Sequence, residues 1–319
     1  MPTSEIIAEN FAPARWFSWP RSSIRIVDWN IDRGLQLRSI VDFLGDTNAD
    51  IFILQEVDVN ARRTHHLNIA QEIARKLRLN YVFGREFVEL TQGSKTSPAY
   101  HGQATLSPWK ISNPRIIHFK RQSDFWKPRW YKPRLQTFQD RLGGRIALAA
   151  EISIQGVSTI CYNLHLESRS NDELRFAQLN EVLQDAGVYD STRLVVVAGD
   201  LNLNASKSVM TDALARAGFR DVVPTSRVPT TPARHLLEAG RHIDWAFVRG
   251  PVQADAGKVH RSVRGSDHYP ISFELRSADS GLSRRAEQSK KTGLSLFGLR
   301  YLNVTLSRVE SGFAERKSR

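Results

Sequence analysis

Six short apolar runs, each bounded by a hard polar side chain, constrain this chain more than any other feature. Ile24-Arg25-Ile26-Val27 leads into Asp28-Trp29-Asn30-Ile31-Asp32. Ile51-Phe52-Ile53-Leu54-Gln55 ends at Glu56, and Tyr162-Asn163-Leu164 ends at His165. Leu194-Val195-Val196-Val197-Ala198 ends in Gly199-Asp200-Leu201-Asn202. Asp244 opens Trp245-Ala246-Phe247-Val248, and Asp267-His268 precedes Ile271-Ser272-Phe273-Glu274-Leu275. Runs of this length and composition read as strands. The alternation at 271–275 predicts one wet face, and the unbroken run from Arg193 to Ala198 predicts a strand buried on both. Neighbouring strand residues point to opposite faces, so Asp267 and His268 reach a common site only from a turn or strand end. Gly265 and Pro270 fit such a turn.

Helical patterns lie between the runs. Leu37, Ile40, Val41 and Leu44 recur at helical spacing, with Gly45 predicted as the stop. Leu67, Ala70, Ile73, Ala74 and Leu77 make a second amphipathic stripe, before which His65 and His66 read as a solvated helix start. Asn171 is placed to cap a third helix carrying Leu174, Ala177 and Leu183. Met210, Ala213, Leu214 and Ala217 form a fourth, ended by Gly218. Tyr81-Val82-Phe83-Gly84 and two segments meeting near Gly156 add strands. The class is α/β.

The six motifs, in this order, resemble the endonuclease/exonuclease/phosphatase superfamily, over roughly Ile24 to Leu275. That superfamily includes deoxyribonuclease I, abasic-site endonucleases, sphingomyelinases and inositol-polyphosphate phosphatases. The resemblance implies two β-sheets packed face to face with helices outside, a deoxyribonuclease I-like four-layer sandwich. It also implies phosphoester hydrolysis assisted by Mg²⁺ or Mn²⁺, with Glu56 as principal metal ligand and Asn30, Asp32 and Asp267 near the metal or its waters. Asp200 would orient or deprotonate the attacking water, or protonate the leaving group, with Asn202 holding it in register. Asp244 would pair with His268, and His268 and His165 would contact the phosphoryl oxygens. His101, in a small-residue strand expected to face the site, is a candidate substrate contact. Hard oxygen ligands suit Mg²⁺ and Mn²⁺, and no Cys/His cluster has zinc spacing.

Charge bears on the substrate. The net charge is +12, which suits a polyanionic partner, either nucleic acid or an anionic membrane surface. Between Lys120 and Arg145, basic and aromatic residues interleave: Lys127, Arg129, Trp130, Lys132 and Arg134, with Trp126 and Tyr131. Such a mixture can stack bases and neutralise phosphates; its alternative is a loop whose aromatics pack back on the sheet. The reading favours an endonuclease or exonuclease. A lipid or small-molecule phosphodiesterase is the alternative, and an inactive binding module on the same fold a second. Residues 1–23 read as an N-terminal extension, 24–276 as the catalytic domain and 277–319 as a basic tail, partly disordered, with the apolar island Leu294–Leu302. The single cysteine, Cys161, lies in an apolar run and reads as a core thiol. No secretory signal or run of about 18 apolar residues is present, so cytoplasmic residence is expected. No feature calls for an obligate protein partner.

Overall fold

The computed structural model describes residues 5–13, 23–127, 140–154, 156–203, 208–223, 228–233, 239–255 and 257–277. In chain order the elements are β1 (Ile6–Asn10), β2 (Ile24–Arg33), α1 (Leu37–Thr47), β3 (Ile51–Val59), α2 (Ile69–Leu77), β4 (Asn80–Glu89), β5 (Ala99–Ser107) and β6 (Ile111–His118). They continue with β7 (Arg141–Gly143), β8 (Ile146–Ile154), β9 (Val157–His165), α3 (Asp172–Ala186), β10 (Leu194–Asp200) and α4 (Ser208–Arg216). The last are β11 (Arg220–Asp221), β12 (Asp244–Arg249), β13 (Val252–Ala254), β14 (Lys258–Val259) and β15 (Ile271–Ser277).

One sheet has the order β1-β4-β5-β3-β2-β15-β13, with β14 on β15 and β7 on β4; the other runs β11-β12-β10-β9-β8-β6. Each contains one parallel pair among otherwise antiparallel neighbours, β2 with β3 and β9 with β10. Parallel neighbours need a crossover, supplied by α1 in one sheet and α3 in the other. The two crossover units bring four strand carboxyl ends to the same place.

Period-two alternation explains both the layers and the site. On β2, Ile24 and Ile26 face the opposite sheet, packing with Ile51, Ile53, Cys161, Val196, Ala198, Ala246 and Val248. The intervening Val27, Trp29 and Ile31 face Ile40 and Leu44 of α1 and Ile69 and Ile73 of α2. On β10, Val195 and Val197 face Leu179, Val182, Met210 and Leu214 of α3 and α4. The result is helices, sheet, sheet, helices. Burying each such Val, Ile or Leu contributes about 1.5–3 kcal/mol.

Two local features depart from the sequence expectation. Helix α1 runs through Gly45 and ends at Asn48, which adopts a left-handed φ of 50°. Gly45 serves close packing instead, since a Cβ there would lie 3.2 Å from Leu77 Cδ2 of α2. Within the stretch read as an extension, Ile6–Asn10 pairs with β4 and extends the sheet. The residues of the tail, 278–319, lie outside the described residues.

Candidate active site

Followed along their strands, the inward-facing positions change from apolar to polar at one end of the seam between the sheets. On β2 the series is Ile24, Ile26, Asp28, Asn30; on β3 it is Ile51, Ile53, Gln55. On β9 it is Cys161, Asn163, His165, and on β10 Leu194, Val196, Ala198, Asp200. Strand β12 runs the other way and begins at Asp244, directly opposite Asp200, which itself pairs with His165.

The seam is pinned behind the site by side-chain amides. Gln55 Nε2 donates to Asp28 Oδ1 at 2.9 Å and to Asn163 Oδ1 at 2.8 Å. Asn163 Nδ2 donates to the Leu54 and Ala104 carbonyls, both at 3.0 Å, so β9 is tied to β3 and β5 of the facing sheet. Burial, with the charges of Asp244 and Asp200, pushes Asp28 well above the carboxylate range.

A β-bulge aims Glu56. The β3–β5 register shifts between Leu54 and Val57, and Glu56 takes a φ of 52°, so its side chain lines the cleft instead of following the pleat. Burial would raise its pKa, but His101, His165, Arg33 and Arg145 surround it with cationic or proton-binding groups and hold it well below the usual value. Arg33 Nη2 lies 3.5 Å from Glu56, and Nη1 pairs with Asp32. Asp32 is raised by burial and by Asp267 and Glu56, against the opposing Arg33. Among the described residues the group whose ligand atoms lie close enough to share one ion is Asp200, Asp244 and His268, not Asp32, Glu56 and Asp267; the last three are neighbouring carboxylates around Arg33. Together with the Asn30 amide they are hard oxygen ligands of the kind Mg²⁺ takes.

Asp200 occupies the other wall. Asn202 donates its backbone N–H to Asp200 Oδ1 at 2.9 Å and its amide to the Leu166 carbonyl at 3.1 Å. Asn30 Nδ2 approaches Asp200 Oδ2 at 3.3 Å, linking the two walls. Burial and Asp244 raise Asp200 to about 7, although the His268 charge opposes them. His165 Nε2 lies 3.5 Å and His268 Nε2 3.8 Å from Asp200 Oδ2. His165 is driven well below an ordinary imidazole by burial and Arg145, so it is neutral.

His268 has the opposite setting. Its Nδ1 donates to both Asp244 oxygens at 2.9 Å, and the Asp244 charge overcomes burial to raise it to about 10. Asp244 is fixed by its N–H on Thr230 Oγ1 at 3.1 Å. The His268 carbonyl accepts from Trp29 Nε1 at 2.9 Å, while Ser266 Oγ donates to the Asn30 carbonyl at 2.6 Å. These bonds dock the 265–268 turn onto β2. One ligand atom each of Asp200, Asp244 and His268 lie within 4.8 Å of one another.

The expected contacts outside this set fare differently. His101 does not reach the cleft: it is wholly buried behind Glu56, with Nδ1 on Asp58 Oδ1 at 2.9 Å. The inward pleat of β5 puts it between the sheets, outside the cleft lining. Lys127 is exposed and pairs with Asp124 at 3.0 Å, away from the cleft lining. Trp126 is no stacking platform, being buried against Phe87 with its indole N–H on Glu167 at 3.0 Å. Arg129, Trp130, Tyr131, Lys132 and Arg134 lie outside the described residues. The sequence reading missed Arg33, Arg145, Ser168, Arg169 and Arg241, all of which line the cleft. Only the proximity of Arg33 to Asp32, and of Ser168 and Arg169 to His165, could have drawn notice.

A two-sheet sandwich with acidic, amide and imidazole groups at one end of its seam defines a phosphoesterase-type scaffold. The sequence matches the model of the Endonuclease/Exonuclease/phosphatase family over residues 29–268, and the chain belongs to that family, whose members are generally phosphoesterase hydrolases. No curated protein matches it. Among solved structures it is similar to an endonuclease/exonuclease/phosphatase from Bacteroides vulgatus, with TM-score 0.60 and 17% identity, covering 81% of this chain and 100% of the other. A protein of the same description from Beutenbergia cavernae gives TM-score 0.58 and 17% identity over 81% of this chain and 72% of its own. A humanised TDP2 from D. rerio gives 0.55 and 20% identity over 81% and 100%. Among the described residues no helix is long and apolar enough to cross a membrane.

Proposed function

We propose that the chain is a Mg²⁺- or Mn²⁺-dependent phosphodiester hydrolase acting on nucleic acid. One observation carries this reading: Glu56 and Asp267 line one cleft with Asp200, which His165 and His268 flank at 3.5 and 3.8 Å. Glu56, Asn30, Asp32 and Asp267 would hold the metal, which supplies positive charge to the phosphoryl group and acidifies a bound water. Asp200, with its raised proton affinity and two fixed hydrogen bonds, can take a proton from the attacking water or give one to the leaving oxygen. The His268 imidazolium, held by Asp244, adds charge where phosphoryl oxygens develop it, and neutral His165 donates a hydrogen bond there.

Nucleic acid is favoured as substrate by the net charge of +12 and by four arginines in the cleft lining. The test is a hydrolysis screen of the purified chain over DNA, RNA, sphingomyelin and phosphoinositides, with Mg²⁺ or Mn²⁺ and with chelator. Metal-dependent cleavage of DNA or RNA is expected. Turnover confined to sphingomyelin or phosphoinositides would replace nucleic acid by a lipid substrate.

A further inference from the structure

The cleft has a volume of about 350 Å³ and a lining dominated by charged and polar groups, Ile243 being the apolar exception. Its four arginines fall into two pairs. Arg33 and Arg145 are committed: Arg33 to Asp32 and Glu56, and Arg145 to Glu86 at 3.0 Å, with Nη2 on Ser168 Oγ at 3.2 Å. Arg169 and Arg241 are exposed, and among the described residues their contacts are a ring for the Arg169 guanidinium and backbone bonds for both, with no ion pair.

Both are nevertheless held in place. The Arg169 guanidinium lies 5.1 Å from the centroid of the exposed Phe125 ring, and its backbone N–H is on Glu167 at 2.8 Å. Arg241 is anchored by backbone bonds in both directions, donating to Thr231 Oγ1 at 3.0 Å and accepting from the Thr230 and Thr231 N–H groups. Stacking on an aromatic face leaves the guanidinium edge free to donate, and a planar fork matches a phosphate in two parallel bonds.

The charges of the reacting centre do not need this second pair. One scissile phosphodiester carries one negative charge, whereas the cleft lining holds four guanidiniums, of which Arg33 and Arg145 are the two paired with carboxylates among the described residues. Two further guanidiniums lining the same cleft therefore face an anion that the scissile group does not supply. We infer that Arg169 and Arg241 form a subsite for a second phosphate, and that the preferred substrate carries a phosphate group next to the one cleaved. This inference rests on the phosphoesterase reading above and sharpens its substrate class. It selects against esters whose flanking group is a quaternary amine or an apolar chain, because those leave both guanidiniums facing a cation or a desolvating surface.

The test compares adenosine 5′-monophosphate with adenosine 3′,5′-bisphosphate by calorimetric titration of the full chain in Mg²⁺. The wild type should bind the bisphosphate at least about tenfold more tightly, the gain expected of charge-assisted bidentate contacts. In the Arg169→Ala/Arg241→Ala double variant the ratio should fall to about threefold or less. Arg169→Lys/Arg241→Lys, which keeps the charge and loses the fork, should give an intermediate ratio. Equal melting temperatures of all three proteins show that the fold is kept; if Ala unfolds the chain, the Lys variant decides. A ratio unchanged by either substitution, or no wild-type preference for the paired phosphates of either the nucleotide or the inositol ligand, overturns the subsite. Inositol 1,4-bisphosphate serves as the second source of paired phosphates. If it shows the same arginine-dependent gain and the nucleotide does not, the subsite stands and its ligand is a small polyphosphate. Wild-type turnover of bis(p-nitrophenyl) phosphate, which has one phosphate, reads the hydrolase assignment separately: its absence counts against that assignment, while the binding ratio still judges the subsite.

Discussion

Replacing Asp244 by Asn is the most discriminating single change, because its effect should depend on pH in a calculable way. Asp244 accepts from His268 Nδ1 through both oxygens at 2.9 Å, and both residues are buried. Burial alone would lower the imidazole; Asp244 is the leading reason it instead stands near 10, against an ordinary 6.5. That difference corresponds to about 5 kcal/mol in favour of the imidazolium. Asn keeps the shape and a hydrogen-bonding group but removes the charge, returning His268 to about 6.5 or below. At pH 8 a group of pKa about 6.5 is only about 3% protonated, so kcat should fall about 30-fold, and about tenfold more for each further pH unit. At pH 6 the loss should shrink to within about threefold. The assay is kcat against pH from 6 to 9 on a phosphodiester, with saturating Mg²⁺. The sign for stability follows from the same raised value. The pair's contribution is fully present below 6.5 and fades as pH rises through about 10, so the variant's stability deficit should narrow in alkali. A variant-to-wild-type ratio of kcat that stays constant from pH 6 to 9 would refute the assignment of a working imidazolium to His268.

Other perturbations probe the scaffold. Glu56→Ala should cut activity by about a hundredfold or more and weaken Mn²⁺ binding, read by titration, with the melting temperature retained. Gly199→Ala should destabilise the fold by about 2–4 kcal/mol in urea unfolding. Gly199 has a φ of 142°, and a Cβ there would meet the Leu164 carbonyl oxygen at 1.9 Å, one residue before Asp200. Cys161, wholly buried in the inter-sheet core with its thiol pushed up by burial, should resist thiol reagents until denaturant unfolds the chain.

Much of this was legible from the order of motifs. The strands β2, β3, β9 and β10 begin in apolar runs and end in site residues because their inward faces must first fill the seam between the sheets and only then open to the cleft, while β12 and β15 run the other way, with their polar residues at or before the start. Helices α1, α2 and α4 were legible from their stripes; α3 was legible from its Asn171 cap, whose side chain accepts from Leu174 N, while its buried face runs through Leu174, Gln178, Leu179, Val182 and Ala186 and not through Ala177 and Leu183. Less visible was the role of Gln55 and Asn163. Alternation puts both on the inward face, but only the facing sheet supplies the partners that satisfy them, and that pairing joins residues 108 positions apart. His101 and Trp126 misled for the same reason: a polar or aromatic side chain does not announce whether it points into a cleft or between sheets. Arg145 lies at the edge of a basic stretch that reads as solvated. Its partner Glu86 is 59 residues away, so nothing local marks it as a buried cation beside the site.

The central claim is that metal-dependent phosphodiester chemistry occurs where Glu56, Asp200 and His268 meet. The direct measurement is hydrolysis of a single-stranded oligonucleotide by chelator-treated protein, before and after adding back Mg²⁺, with Glu56→Ala and His268→Ala prepared in parallel. The account predicts no cleavage without metal, cleavage on its return, and loss of that cleavage in both variants while their melting temperatures hold. Cleavage that persists in excess chelator, or that either variant carries out at the wild-type rate, would contradict it.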